Sequence, residues 1–228
     1  MAGSPDTGLT GCWSVYDETV IKISKSKFVR EPEAVLVVCF VWKDIMSDFK
    51  AIESIAEKCG FTEYGYVRID HLKYYPDIRK ICEGNTCRNY GSCWACPPAV
   101  GTLEECKNRV EQYDNMMLFT KKYETKNSFD IKGMMRGLKD FKKLADSFHE
   151  ELKPCLSDFM LLSNEGCGRC KECTYPDEPC RFPDLLHHSL EGYGFLVNDL
   201  AKEANVKYNN GQNTVTYFGA LLFNTEKK

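Results

Sequence analysis

The chain has 228 residues, 43% hydrophobic and 28% charged, which is enough apolar material for a buried core beneath a charged surface. Thirty Lys and Arg against thirty-three Asp and Glu leave a formal charge of -3, with no basic block to neutralise a nucleic-acid backbone. The longest apolar run, Ala34 to Trp42, falls far short of the roughly twenty residues that cross a bilayer, so neither nucleic acid nor membrane is expected as a partner.

Residues 1–11 lack a basic n-region and an apolar h-region and read as a flexible tail, not an export signal. Trp13 to Val29 alternates with a period near two and reads as one or two strands, and Ala34 to Trp42 as a buried strand. From Ile45 the apolar positions Phe49, Ile52, Ile55, Ala56 and Cys59 fall at helical spacing, with Asp44 as N-cap and Gly60 just past the end. Tyr64 to Ile69 reads as a strand. Cys82 to Pro98 holds too much Gly, Asn, Cys and Pro for regular structure, and it feeds a Thr102-x-x-Glu105 capping box that opens a helix to about Tyr113. Asn115 to Thr120 is a further strand. A long amphipathic helix follows, with Ile131, Met134, Met135, Leu138, Phe141, Ala145, Phe148 and Leu152 as its core face and Pro154 as its stop. Phe159 to Leu162 runs as a short strand into a second Cys-rich stretch, Cys167 to Pro183. A helix over Ser189 to Asn205, an Asn-Asn-Gly turn and a last strand, Thr214 to Phe223, complete the chain. Interleaved strands and helices predict an α/β or α+β fold: one layered domain over 12–228, with a mixed sheet, flanking helices and two cysteine loops at 82–106 and 167–183.

Thirteen cysteines without an export signal point to a reducing, cytoplasmic setting in which clustered thiols serve metal or redox chemistry. In the second loop, Cys167-x2-Cys170-x2-Cys173-x6-Cys180 can wrap the corners of a cubane as in ferredoxin-type runs, although the last gap is longer than theirs. The first loop, Cys82-x4-Cys87-x5-Cys93-x2-Cys96-Pro97-Pro98 with Cys106 beyond it, matches no single template. Cys82, Cys87 and Cys96 are its leading ligand candidates, and Cys93 and Cys106 compete for the fourth place. Cys39 and Cys59 read as small core residues, and Cys12 and Cys155 carry no motif. Arg88, Arg169, Lys171 and Arg181 lie within a few residues of these thiols and offset thiolate charge. Tyr90, Trp94, Tyr175 and Phe182 are available either to shield a centre or to pack the core. His187 and His188 are expected in solvated or capping roles, and His71 and His149 lack a metal-spaced partner. Each loop is expected to follow a strand and precede a helix; if both strands point the same way, the loops share a sheet edge and one can lend a cysteine to the other.

Together the two loops give the chain a resemblance to a family of cysteine-rich predicted metal-binding proteins of unknown function from anaerobic bacteria and archaea. The resemblance rests on Cys82-x2-Asn85-x-Cys87-x2-Tyr90-Gly91-x2-Trp94-x-Cys96-Pro97-Pro98-x2-Gly101-Thr102 and on Gly166-Cys167-x2-Cys170-x2-Cys173-x6-Cys180-Arg181-x-Pro183. A third motif is Glu191-x-Tyr193-Gly194. It implies an iron–sulfur protein and supplies no reaction, and Cys93 is an addition to its pattern.

Three functions follow as expectations. The first is an iron–sulfur protein with two [4Fe-4S] clusters that exchanges electrons with a partner redox enzyme. The second is a reductase or sulfur-handling oxidoreductase in which an open first-loop cluster takes a small-molecule substrate. The third is an interaction module held together by Zn. No phosphate-binding G-x-x-x-x-G-K-[ST] loop, dinucleotide G-x-G-x-x-G turn or H-E-x-x-H helix is present.

Overall fold

Two long strands with apolar side chains on both sides decide the layering of this computed structural model, which describes residues 48–225. In β2 (Asn115–Glu124) and β5 (Thr214–Phe223), successive side chains point to opposite faces. Met116, Leu118, Phe218, Ala220 and Leu222 therefore enter one core, and Met117, Phe119, Tyr217, Leu221 and Phe223 the other. A strand buried on both faces needs cover on both. The helix over 48–59, α1, and α4 (Ile131–Leu152) cover one face through Ile52, Ala56, Phe141 and Phe148. The other is covered by α3 (Leu103–Val110) and α5 (Val197–Glu203) through Cys106, Val110, Leu200 and Ala201.

With β1 (Glu63–Arg68), β3 (Phe159–Ser163) and β4 (His188–Ser189), the sheet runs in the order β1-β2-β5-β3-β4. All neighbours are antiparallel except β3 and β4. Among the described residues the fold is α+β with a mixed five-stranded sheet, and these residues fall within one compact unit. Gly65 in β1 is fixed by a close approach, because a Cβ there would stand 1.9 Å from the Ala204 carbonyl oxygen at the end of α5.

Several expectations change. The first cysteine loop follows a helix, α2 (Pro76–Glu83), and not a strand. Ile78, Ile81 and Cys82 fall at helical spacing in it, but the helix is only eight residues long and buries none of them, so the stripe is too short to stand out beside Pro76 at its first turn and Asp77 next to it. The helix expected over Ser189 to Asn205 is three pieces: β4, a 3-10 turn at Glu191–Tyr193 and α5. Gly194, at φ 78, ends the turn in a left-handed conformation that no helix continues. In α4, Ile131 and Met135 are 64% and 57% exposed. The helix buries Gly133 and Gly137 instead, and Gly137 lies against the Tyr123 ring. Among the described residues no helix is long and apolar enough to cross a membrane. The strands expected before Trp42, the Asp44 cap, Cys12 and Cys39 lie outside the described residues.

Candidate metal centre

The second cysteine loop leaves β3 after Ser163 and returns as β4, whose outer edge would otherwise present unpaired backbone groups. The first loop takes up that edge: Ser189 N donates to Ala95 O at 2.9 Å. The contact extends on both sides. Trp94 Nε1 donates to Glu178 O at 3.1 Å, and its ring meets Tyr175 edge-on at 4.9 Å. Cys96 Sγ donates to Ser189 Oγ at 3.7 Å, and the same hydroxyl accepts from Gly192 N at 3.0 Å. At Gly166 a Cβ would stand 2.3 Å from Asn89 Oδ1, so the two loops touch where only glycine leaves room. Within the first loop, Gly91 N donates to Pro97 O at 2.8 Å and Tyr90 N to Asn85 Oδ1 at 3.0 Å, which closes it on itself before it docks.

The product of this docking is a small cavity walled by Cys93 from the first loop and by Cys167, Cys170, Cys173 and Cys180 from the second. Cys93 and Cys96 are 7% and 5% exposed and form a buried cluster with Ala95, against which Cys167, Cys173 and Leu186 pack. Trp94 and Phe182 complete the cavity wall. All eleven cysteines among the described residues are free thiols. No three Cys, His, Asp or Glu side chains among those residues already stand at metal-holding geometry. The fold thus gathers the thiols around one space without closing them on a point.

Electrostatics favour a thiolate at Cys93. Cys96 donates to Cys93, and the backbone N–H groups of Cys167, Ala95 and Cys96 point at the same sulfur. These bonds hold Cys93 well below the ordinary thiol range despite its burial, and Cys93 pushes its partner Cys96 up. Burial raises Cys167, while Arg169 and Lys142 oppose it. Lys142 Nζ, on α4, donates to Gly166 O at 2.6 Å and Asn164 O at 3.2 Å. Arg169 Nη2 reaches Asp146 Oδ1 at 2.5 Å and Leu185 O at 3.2 Å.

The other first-loop candidates lie apart from this cavity. Cys82 is in the last turn of α2, with Cys87 and Glu191 near enough to raise it further after burial. Cys87 is exposed, although its charge acts on both Cys82 and Cys96. Cys106 is fully buried in the α3 core, its sulfur 3.3 Å from Arg109 Nη2 and 3.8 Å from Arg79 Nη1. Cys59 is half-buried against the α1 and α4 core, and Cys155 is exposed.

The sequence reading missed Lys142, Asp146 and Ser189. The first two carried a legible signal: Lys142, Asp146 and His149 recur at helical spacing beside the apolar stripe of α4, a second face that must meet something. Ser189 carried none, since its role depends on β4 being an edge. The two adjacent histidines also differ from expectation, because both are shielded from water. His188 Nδ1 lies 3.0 Å from Tyr193 OH. The His187 ring lies 5.5 Å from His149, with its Nε2 lacking a hydrogen-bond partner.

Five soft sulfur donors, backbone N–H groups and cations around a space shielded by aromatic rings suit zinc or an iron–sulfur centre rather than a hard oxygen-seeking ion. No curated protein and no solved structure matches the chain. A family model does, over residues 66–223 of the 228, and its description is "Predicted metal-binding protein (DUF2284)". The thiol-walled cavity lies inside that matched span, and the chain belongs to this family of predicted metal-binding proteins.

Proposed function

We propose that the chain is an iron–sulfur protein that exchanges single electrons with a partner redox enzyme. Its main centre lies in the cavity between the loops, and a second is built on Cys82, Cys87 and Cys96. The observation that carries this reading is the convergence of all four second-loop cysteines and Cys93 on one space. An iron–sulfur cluster bound there supplies one-electron transfer. The chain's own part is to hold the thiolates, to keep water away with Trp94 and Phe182, and to offset negative charge with Lys142 and Arg169. Cations and N–H donors near cluster sulfur raise a reduction potential. Trp94 and the 45%-exposed Phe182 put the cavity close to the surface, where a redox partner can approach.

A zinc-held interaction module is the second reading, and one observation favours it. Structural zinc draws on two separated C-x2-C pairs, and the fold places Cys93-x2-Cys96 against Cys167-x2-Cys170, with a cavity of about 30 Å3 between the loops. Anaerobic purification with iron, acid-labile sulfide and zinc measured per chain, alongside a visible spectrum, separates the two. Iron and sulfide in equal amounts, roughly four or eight of each, with a broad visible band are expected. A colourless protein carrying zinc would replace the iron–sulfur reading with the second, and a metal-free protein that takes up neither would end both.

A further inference from the structure

The second loop alone has four cysteines, enough for a complete ligand set, so Cys93 makes a fifth thiol on the same cavity. The fifth thiol is held more firmly than the fourth. Cys93 is 7% exposed and belongs to the buried cluster that Cys167 and Cys173 pack against. Its position is fixed from both sides: the Ser189–Ala95 backbone bond lies two residues away, and Trp94 is anchored to Glu178 and Tyr175. The Cys167 backbone N–H points at its sulfur across the loop boundary. Cys180, like Cys170, stands outside that buried cluster, and its sulfur accepts from Phe182 N at 3.4 Å. It also follows Cys173 by a longer gap than a ferredoxin-type run uses.

We infer that Cys93 crosses from the first loop to complete the metal centre of Cys167, Cys170 and Cys173, leaving Cys180 as a dispensable neighbour. The centre then joins two segments more than seventy residues apart in sequence, and metal binding closes one loop onto the other. The inference rests on the presence of a metal centre; its four thiolates can take either metal, and for zinc Cys173 then stands in the place that the paired C-x2-C reading gives to Cys96. It also separates Cys93 from Cys96: the former serves the second-loop centre, and the latter remains with Cys82 and Cys87.

Full-length wild type and the variants Cys93→Ser, Cys170→Ser, Cys180→Ser and Cys82→Ser are purified anaerobically. Bound metal is then counted by native mass spectrometry, in which folded chains are told from unfolded ones by their lower charge states. Cys93→Ser is expected to lose the same metal as Cys170→Ser, while Cys180→Ser and Cys82→Ser keep that centre. Full metal in Cys93→Ser with loss in Cys170→Ser and Cys180→Ser would overturn the crossing ligand and leave the metal-centre reading standing. Wild type that binds no metal would overturn both. If Cys93→Ser does not fold, maleimide labelling of wild type decides. On metal loading, Cys93 is expected to become unreactive together with Cys167, Cys170 and Cys173 while Cys180 stays reactive, and unchanged labelling of Cys93 would sink the inference.

Discussion

Asp146 shows how much of the loop arrangement hangs on single side chains. It sits on α4 and holds Arg169, between Cys167 and Cys170, at 2.5 Å, with both side chains about three-quarters buried at 23% and 24% exposure. An exposed pair contributes about 0.5 kcal/mol and a buried one costs about 4 kcal/mol when broken, so this intermediate pair should cost about 2 kcal/mol. Asp146→Ala is therefore expected to lower the unfolding free energy from a urea titration by that amount, and Asp146→Asn, which keeps an acceptor, by less. A midpoint unchanged in both would show that Arg169 needs no partner. The histidines beyond it predict a pH dependence. Burial, aided by His149, Arg169, Lys142 and His188, pushes His187 down to about 3 even though Asp146 Oδ1 lies 3.9 Å from its Nδ1. Burial and Arg109 push His188 down to about 4. Above the ordinary histidine range both states are neutral and no dependence arises. As pH falls below about 6.5, the unfolded chain takes up protons that the folded chain refuses, so stability is lost at up to about 1.4 kcal/mol per pH unit for each histidine. Thermal midpoints between pH 7 and 5 should fall less steeply for His187→Gln than for wild type. Equal slopes would mean that the ring is reached by water.

At the scale of elements, local chemistry and tertiary demand were legible to different degrees. The capping box at α3 was readable from four residues and forms as expected: Thr102 Oγ1 accepts from Glu105 N at 3.2 Å, and Glu105 Oε2 accepts from Thr102 N at 2.6 Å. It also fixes where the first cysteine loop ends. Thr102→Ala should cost about 1 kcal/mol in a denaturant titration, with a loss under a few tenths meaning that tertiary contacts alone hold α3. Strand β5 was legible to the residue, because nine apolar or β-branched positions out of ten, bounded by a turn, leave no other reading. The α2 helix was hidden by its shortness, with only Ile78, Ile81 and Cys82 at helical spacing, and the break at Gly194 by the helical spacing that the residues around it happen to keep. Gly65 was hidden too, since its reason is Ala204, far along the chain. Gly65→Ala should cost about 3 kcal/mol through a displaced α5, seen as a lower unfolding midpoint, and a neutral result would show that α5 can slide. For the candidate site, spacing in the sequence named the thiols but could not pair them. Cys93 and Cys106 were equal contenders on the page of the sequence. Only the fold sets one sulfur on the thiol-walled cavity and the other between two guanidinium groups in a core.

For the folded unit as a whole, the two cysteine loops are lengths of chain with little regular structure, and each is stabilised chiefly by the other. Few backbone ladders tie them down; the Ser189–Ala95 bond, the Trp94 anchor and the Gly166–Asn89 approach tie them to each other, and Lys142 and Asp146 tie the second to α4. Loops of this kind open locally at small cost unless a further link spans them, and a ligand that binds only the closed form stabilises it by mass action. A metal held by thiols from both loops is such a link, so protection of the two should rise and fall together. Trypsin reports this directly, because Arg88 in the first loop and Lys171 and Arg181 in the second are all exposed, and none precedes a proline. In the metal-loaded chain, cleavage at the three sites is expected to be slow. A chelator, or the Cys170→Ser substitution, should speed cutting at Arg88 by about the same factor as at Lys171 and Arg181, although Arg88 belongs to the other loop. Faster cutting confined to Lys171 and Arg181 would mean that the second loop closes on its metal alone and that the first merely rests against it.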